Sequence, residues 1–194
     1  MERQFIFRHR DLVVGAEAFD LEVTPANFGI NKPLQAVWSS SLIEFNNQLP
    51  ETGWSQWCEI EDYGDIKKAK VFELKFKEEP KVIVVKTYKD LVELNDKGLL
   101  SLNSGYLTSK QYGTINYQAI LDKGYDGIRV TANAILESRG LRFSDEHVPI
   151  YVNFSAWDCE STCWVTNRCF KEYKHPFSGF HKTGEHYRFH VHLT

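Results

Sequence analysis

Apolar and polar residues alternate over several short segments of the chain, a pattern typical of β-strands. In FIFRH and VFELKF, apolar side chains recur at every second position. The run KVIVVKT is instead almost continuously apolar, which predicts a strand buried on both faces. The predicted strands cover 5–9, 34–40, 71–76, 81–87, 125–131, 148–154, 161–166 and 185–194.

Cap residues mark the start of three predicted helices, and glycines mark their ends. Thr87 and Asp90 have the spacing of a capping box, in which each side chain binds the backbone N–H of the other residue. Residues 99–115 carry mixed signals and are predicted as a loop. The helices are predicted from Thr52 to Gly64, from Thr87 to Gly98 and from Asn116 to Gly124.

This order of elements contains few regular βαβ units, so it predicts an α+β fold with largely antiparallel sheets. The length of 194 residues suits one compact domain, and we take 1–194 as that domain. The Gly-rich signatures of dinucleotide-binding and P-loop proteins are missing, as are H-E-x-x-H and G-x-S-x-G. Rossmann, P-loop, zincin and α/β-hydrolase readings are therefore excluded.

Charge and hydropathy bear on nucleic-acid binding and on membrane location. The net charge of −3 gives no overall footprint for a polyanion, so nucleic acid is neither implied nor excluded. The sequence contains no run of about 18 apolar residues and no signal peptide, so we expect no membrane span and a cytoplasmic protein.

The four cysteines contain no C-x-x-C pair and are expected to be free, buried thiols. A zinc site built from Cys159, Cys163, Cys169 and a histidine is the alternative, but its spacing is unusual. The tail histidines alternate with apolar residues, which is typical of a solvated strand face, so no metal site is predicted.

Two carboxylates, Asp158 and Glu160, stand two positions apart in WDCES, directly before a predicted strand. Acidic residues have low strand propensity and lose solvation when partly buried, so the pair suggests a functional site. The alternative is a solvated turn, with Asp158 as an Asx-turn acceptor. In GYDGI, likewise, Gly124 and Asp126-Gly127 are explained by helix termination and turn chemistry.

The chain resembles the arginine–serine–glutamate branch of the ADP-ribosyltransferase family. The resemblance rests on an early strand with Arg8, the serine run WSSS at 38–41, and the D-C-E motif that opens a late strand. The segments VWSSS, TGWSQWC, GYDGI and WDCES are also similar in style to toxin-like or phage-encoded bacterial members. The resemblance implies two small antiparallel sheets around a cleft that binds NAD as substrate.

The resemblance also implies roles for the acidic residues. Glu160 would stabilise the positive charge that develops on the ribose when the nicotinamide bond breaks. Asp158 would lie toward the acceptor and receive its proton, although Asp is shorter than the Glu or Gln usual in the family. Arg8 would contact the phosphates of NAD, and its neighbour His9 is the rival candidate.

Polar and aromatic residues complete the predicted NAD site. Ser39 or Ser40 would hydrogen-bond the catalytic glutamate, and strand alternation allows only one of them to face the cleft. Trp54 and Trp57 could stack on a flat ring, although this spacing on a helix is more often explained by core packing. Trp38 and Ser161 are the remaining predicted cofactor-binding residues.

The expected activity is therefore mono-ADP-ribosyl transfer from NAD to a protein or nucleic acid, as a toxin or phage effector. An antitoxin or a host target protein is the expected partner. Two alternatives remain open: an NAD glycohydrolase with water as the acceptor, and a non-catalytic phage or mobile-element inhibitor on the same fold.

Overall fold

The α+β fold class is confirmed in a computed structural model of the chain, which contains short helices and mostly antiparallel strands. The structure describes residues 1–8, 31–33, 36–46, 49–63, 69–104, 111–140, 150–152, 154, 157–171, 181–183 and 186–188. The strands are β1 (Gln4–Arg8), β2 (Val37–Asn46), β3 (Leu49–Thr52), β4 (Lys70–Glu73), β5 (Val82–Val85), β6 (Leu100–Ser104), β7 (Gln111–Ile115), β8 (Gly127–Val130), β9 (Ile150–Tyr151), β10 (Ser161–Trp164), β11 (His181–Thr183) and β12 (His186–Arg188). The helices are α1 (Gly53–Ile60), α2 (Tyr88–Asp96), α3 (Tyr117–Asp122) and α4 (Ala132–Gly140).

Seven of these strands form one sheet in the order β4-β1-β2-β10-β8-β5, with β3 paired to β2 beside β10. All pairs are antiparallel except β5 with β8. The long strand β2 is shared, because its first half pairs with β10 and its second half pairs with β3. The sheet therefore forks along β2. A three-stranded sheet, β6-β7-β9, and the β11-β12 pair complete the described strands.

The three predicted helix starts are confirmed. Thr52 and Thr87 each form a capping box with the residue three positions on, and the Asn116 side chain accepts a hydrogen bond from Ala119 N–H. Gly98 and Gly124 have φ of 65° and 80°, the left-handed conformation that favours glycine after a helix. The first helix ends at Ile60, before the predicted stop at Gly64, which lies outside the described residues.

Residues 99–115, predicted as a loop, instead contain the hairpin strands β6 and β7. Their sequence is rich in Ser, Asn and Gly, and its apolar alternation is limited to Leu100 and Leu102 in β6. Burial of Leu100 and of Gly113 to Ile115 at one end of the pair stabilises the two strands. Helix α4 was not predicted either. It follows β8 at once, and the Thr131 hydroxyl accepts from Ala134 N–H at 3.4 Å.

Several strand predictions need correction. The 81–87 strand is not buried on both faces: β5 is an edge strand, and Val84 is 41% exposed. Phe72, Leu74 and Phe76 belong to one hydrophobic cluster, as predicted for 71–76. The strand ends at Glu73, however, and Val71 and Glu73 of the opposite face are buried too. Glu73 accepts a hydrogen bond from Arg3 Nε and pairs with Lys75 Nζ, which compensates its burial.

The remaining predicted strands differ from the structure in extent. The one predicted at 34–40 begins at Val37 and continues through the serines to Asn46, rather than ending in them. Of the strand predicted at 148–154, only Ile150–Tyr151 lies within a described strand, and of the tail strand only His186–Arg188 does. In GYDGI, Gly124 ends α3 as expected, but Asp126-Gly127 does not form the expected turn, because Gly127 begins β8. The buried Asp126 carboxylate instead accepts from Lys81 N–H and Arg168 Nε, both distant in sequence.

A buried polar network crosses β1, β2 and β10 on one face of the large sheet. The Gln4 side chain accepts hydrogen bonds from Ser39 at 2.7 Å and Thr162 at 3.2 Å, and donates to Ser41 at 2.6 Å. Trp164 Nε1 donates to Ser39 at 2.8 Å. All five side chains are almost fully buried, so each hydrogen bond replaces one to water. The network fixes the mutual register of the three strands.

We expect Gln4→Leu to lower the free energy of unfolding by about 2–4 kcal/mol, because it keeps the volume but leaves buried hydroxyls without their partner. Urea denaturation followed by circular dichroism measures the change. The control is Gln118→Leu, whose exposed side chain bonds Asp122 on α3 and should contribute less than about 0.5 kcal/mol. Equal losses in the two variants would contradict the structural role of the network.

Candidate functional site

A cavity of about 260 Å³ opens at the fork in the large sheet, where β1, β2, the start of α1 and the segment before β10 meet. Its wall is largely apolar and aromatic, with hydroxyl groups, a carboxylate and an ammonium group added. The lining residues are Phe5, Ile6, Phe7, Lys32, Ala36, Trp38, Ser39, Ser40, Trp54, Trp157, Asp158, Cys159 and Ser161. Concave apolar walls with a few convergent polar groups are the usual features of small-ligand sites.

Ser40 joins the elements around this cavity. Its hydroxyl donates to the backbone carbonyl of Glu160 at 2.7 Å and accepts from the backbone N–H of Trp54 at 3.3 Å. The start of α1 lies directly on the D-C-E segment, because an added Cβ on Gly53 would be 3.6 Å from the Cβ of Cys159. One side chain therefore connects β2 with both α1 and the residue that precedes β10.

Two tryptophans and a lysine form the wall next to Asp158. The rings of Trp38 and Trp157 meet edge to face at 4.8 Å, and Trp157 Nε1 donates to the carbonyl of Asn31 at 3.1 Å. Lys32, the next residue, places its Nζ 5.6 Å from the centre of the Trp38 ring and 3.5 Å from Asp158 Oδ2. The cavity therefore contains a carboxylate and an ammonium group side by side.

Glu160 has different surroundings from Asp158. Its carboxylate accepts from Arg129 on β8, with both Nε and one terminal nitrogen at 2.9 Å. Arg129 also pairs with Glu2 at 2.7 Å. Burial alone would lower the pKa of Arg129, but the two carboxylates raise it above the usual value, so the guanidinium stays charged. The charge of Glu160 is thus compensated, and this residue is absent from the cavity lining.

The two carboxylates therefore do not share a partner or a face. Asp158 to Glu160 lead into β10 through a bend and are not part of the strand. The predicted spacing on one face of an extended strand required regular strand geometry, which begins only at Ser161.

Six residues predicted from sequence line the one cavity: Trp38, Ser39, Ser40, Trp54, Asp158 and Ser161. Ser39 and Ser40 both line the cavity, whereas strand alternation predicted that only one of them would face it; their hydroxyls nevertheless bind different partners. That of Ser40 binds at the fork, and that of Ser39 belongs to the buried network behind it. Ser40 contacts the backbone of Glu160, however, rather than its carboxylate, so it does not fix the glutamate side chain directly.

Among the described side chains, two predicted residues, Glu160 and Trp57, are absent from the cavity lining. Trp57 stacks on Trp54 at 5.0 Å but is not part of the lining. Arg8 is the last residue of β1, and its side chain lies outside the description. His9 also lies outside the described residues, so the choice between Arg8 and His9 stays a prediction.

Sequence reasoning missed Lys32, Trp157 and Arg129. Lys32 lies between predicted elements, where nothing marks one lysine among others. Trp157 adjoins the D-C-E motif, and its size in a short segment was a usable signal. Arg129 also carried a signal in the sequence, because a charged residue inside the apolar strand GIRV requires a buried partner.

The four cysteines are free thiols, as predicted, and three of them are buried; Cys159 is only partly buried and lines the cavity. Burial raises the pKa of Cys159, and hydrogen bonds with Ser161 and Ser40 only partly oppose this effect. Burial likewise raises the pKa of Cys58 to about 11. Among the described residues, no group of three or more His, Cys, Asp or Glu side chains is placed to hold a metal ion.

No helix within the described part of the chain is long and apolar enough to cross a membrane. Comparison with known proteins adds no relative: no family model, no curated protein and no solved structure matches this chain.

We expect Cys159 to be the first cysteine alkylated by iodoacetamide in the folded protein, because the other three thiols are buried. A raised pKa leaves little thiolate at pH 7.5, so the rate should be below that of free cysteine and should keep rising above pH 9. Peptide mapping by mass spectrometry identifies the modified residue.

The control is Cys159→Ser, which should lose the early modification while Cys58 stays unreacted. Earlier labelling of Cys58, or a rate that does not change between pH 7.5 and pH 9.5, would show that the cavity wall differs from this description.

Proposed function

We propose that the cavity binds NAD and that the protein is a mono-ADP-ribosyltransferase acting on a macromolecular acceptor. The observation that supports this proposal is that residues from three separate predicted motifs line one cavity. They are Ser39 and Ser40 of the serine run, Trp54 near the start of α1, and Asp158 and Cys159 of the D-C-E segment. The strand after the D-C-E motif also pairs with the serine-bearing strand.

The chemistry of the wall suits one end of a dinucleotide. The indole rings of Trp38 and Trp54 offer flat apolar surfaces for a nicotinamide ring, and Trp157 is buried against Trp38. Hydroxyl groups lie near these rings for the carboxamide and the ribose. A volume of about 260 Å³ is at the low end for ligand pockets, so it takes one nucleoside half, with the other half across the mouth.

Within this proposal, the cavity-lining carboxylate is the better candidate to stabilise the reacting ribose. As the bond between C1′ and nicotinamide breaks, its electron pair leaves with neutral nicotinamide, and positive charge develops on the ribose. Asp158 lines the cavity, whereas the charge of Glu160 is compensated by Arg129. We therefore propose that Asp158 acts at the ribose, exchanging the roles that the motif suggested.

Asp158 can act at the ribose only if Lys32 moves away from it. In the unliganded cavity its ammonium group is 3.5 Å from Asp158, which offsets the charge the reaction needs. The phosphates of NAD compete for the same ammonium group, so ligand binding would draw Lys32 away and leave the carboxylate beside the ribose. The acceptor then forms a bond to C1′ and gives its proton to a carboxylate or to water.

A non-catalytic interaction protein is the second candidate. It is favoured by the ion pair between Arg129 and Glu160. In the ADP-ribosyltransferase chemistry that the motif suggests, the glutamate carboxylate has to be free to act at the ribose. Hydrolysis of NAD by water differs from transfer only in what enters the cavity.

The test compares nicotinamide release from NAD by the wild type, Asp158→Asn and Glu160→Gln. We expect Asp158→Asn to lower the rate by about 10²–10³, because it removes the charge at the ribose. Glu160→Gln should lower it by less than about tenfold, through loss of the ion pair that positions the segment. Mass spectrometry of the products separates free ADP-ribose from ADP-ribose on protein or nucleic acid in a cell lysate.

Asp122→Asn on the exposed end of α3 is the control and should not change the rate. If Glu160→Gln proves the more damaging variant, Glu160 acts at the ribose as the motif suggested. If the folded wild type neither releases nicotinamide nor binds a non-hydrolysable NAD analogue in calorimetry, the non-catalytic function is favoured instead.

A further inference from the structure

Helix α1 and the residues that follow it carry a cluster of aromatic side chains that the described residues leave partly exposed. Trp54 and Trp57 stack at 5.0 Å with 23° between their planes, and Tyr63 lies 5.0 Å from Trp57 and 5.9 Å from Trp54. Ile60, three positions after Trp57, is 79% exposed, and Tyr63 is 57% exposed. We call these four residues the aromatic patch.

The packing of α1 does not account for this patch. In a helix of eight residues, Cys58 is the only buried side chain, although both tryptophans and Ile60 are apolar. Clusters of exposed apolar side chains on a folded domain usually mark an interaction surface. Aromatic residues are also the residues most enriched where binding energy concentrates.

Exposed acidic residues lie next to the aromatic patch in sequence, and Lys67 and Lys68 follow outside the described residues. Residues 43–63 contain five of the 26 acidic residues of the chain and none of its 23 lysines and arginines, so they exceed the net charge of −3 by themselves. Three of these acids, Glu59, Glu61 and Asp62, are exposed and lie between or beside the patch residues in sequence.

Cations already cover other aromatic rings of this protein. The guanidinium of Arg3 lies 4.8 Å from the centre of the Phe45 ring and 5.4 Å from that of Phe5, and Lys32 lies over Trp38. Within the described residues, neither cation lies over a member of the aromatic patch. The patch thus combines acidic charge with aromatic faces, the two features that bind Lys and Arg side chains.

We infer that the aromatic patch is the docking surface for a basic, Lys- and Arg-containing segment of a partner protein. Trp54 belongs to both the patch and the cavity lining, so a chain bound on the patch lies beside the cavity. Resting on the proposed function, this partner is the acceptor. A nucleic acid is disfavoured on this side, because its phosphates would meet exposed carboxylates.

The test measures binding without NAD, so its result does not depend on whether the cavity turns NAD over. The probes are a fluorescein-labelled octa-arginine peptide and a labelled single-stranded oligothymidine, followed by fluorescence anisotropy at 0.15 M salt. We expect the peptide to bind and the oligonucleotide not to bind. Trp57→Ala and Tyr63→Ala keep the charge and should each weaken peptide binding by about three- to tenfold.

Charge-matched variants separate the patch from general attraction. Glu59→Gln with Glu61→Gln should weaken peptide binding by a similar factor. The control pair, Glu93→Gln with Asp96→Asn, makes the same change in net charge on α2, which packs on the edge strand β5, and should leave binding within about twofold of wild type.

Tyr63 lies beyond the end of α1, so its variant remains informative if Trp57→Ala fails to fold. The inference is overturned if the folded Tyr63 variant binds the peptide like wild type, if the control pair weakens binding as much as the patch pair, or if the oligonucleotide binds more tightly than the peptide. If the wild type binds the peptide but releases no nicotinamide from NAD, the result counts against the proposed function alone.

Discussion

The serine run of β2 is the constraint on which the fork and the cavity depend. Because strand residues alternate between faces, Ser39 and Ser41 enter the buried network of Gln4 while Ser40 binds on the other side. The first face joins three strands, and the second holds α1 and the D-C-E segment in place. A shift of β2 by one residue would exchange these faces and unmake both sets of hydrogen bonds at once. The site is therefore only as precise as this register.

This arrangement gives the two motif carboxylates separate environments. Asp158 lies in the cavity wall beside an ammonium group that a phosphate could displace, and Glu160 is tied to a guanidinium on β8. A carboxylate with a fixed cationic partner mainly stabilises structure, since leaving either charge unpaired costs more than the pair contributes. One with a displaceable partner can respond to a ligand. That physical difference is the reason to separate their roles.

The sequence predicted the elements that depend on local chemistry. The helix starts at Thr52, Thr87 and Asn116 follow from side chains that satisfy nearby backbone N–H groups, and such contacts are visible in the sequence. The pairing of β6 with β7 could not be predicted, because these strands are mostly polar and depend on the residues buried at one end, Leu100 and Gly113 to Ile115. The exposed face of β5 was missed because position within a sheet is a tertiary property.

The candidate site shows the same division. Trp38, Ser40 and Asp158 could be selected because tryptophans, a serine run and paired acids are unusual at strand ends. The cation that pairs with each carboxylate could not be predicted. Nothing before folding indicates that Arg129 would pair with Glu160, or that Lys32 would lie beside Asp158, since both contacts join residues distant in sequence.

A crystal structure of the protein with a non-hydrolysable NAD analogue tests the central claim most directly. We expect density for the nicotinamide ring in the cavity, in contact with Trp38 and Trp54, with the ribose beside Asp158 and Lys32 moved toward the phosphates. An analogue bound elsewhere, with the cavity closed and Lys32 still on Asp158, would contradict it.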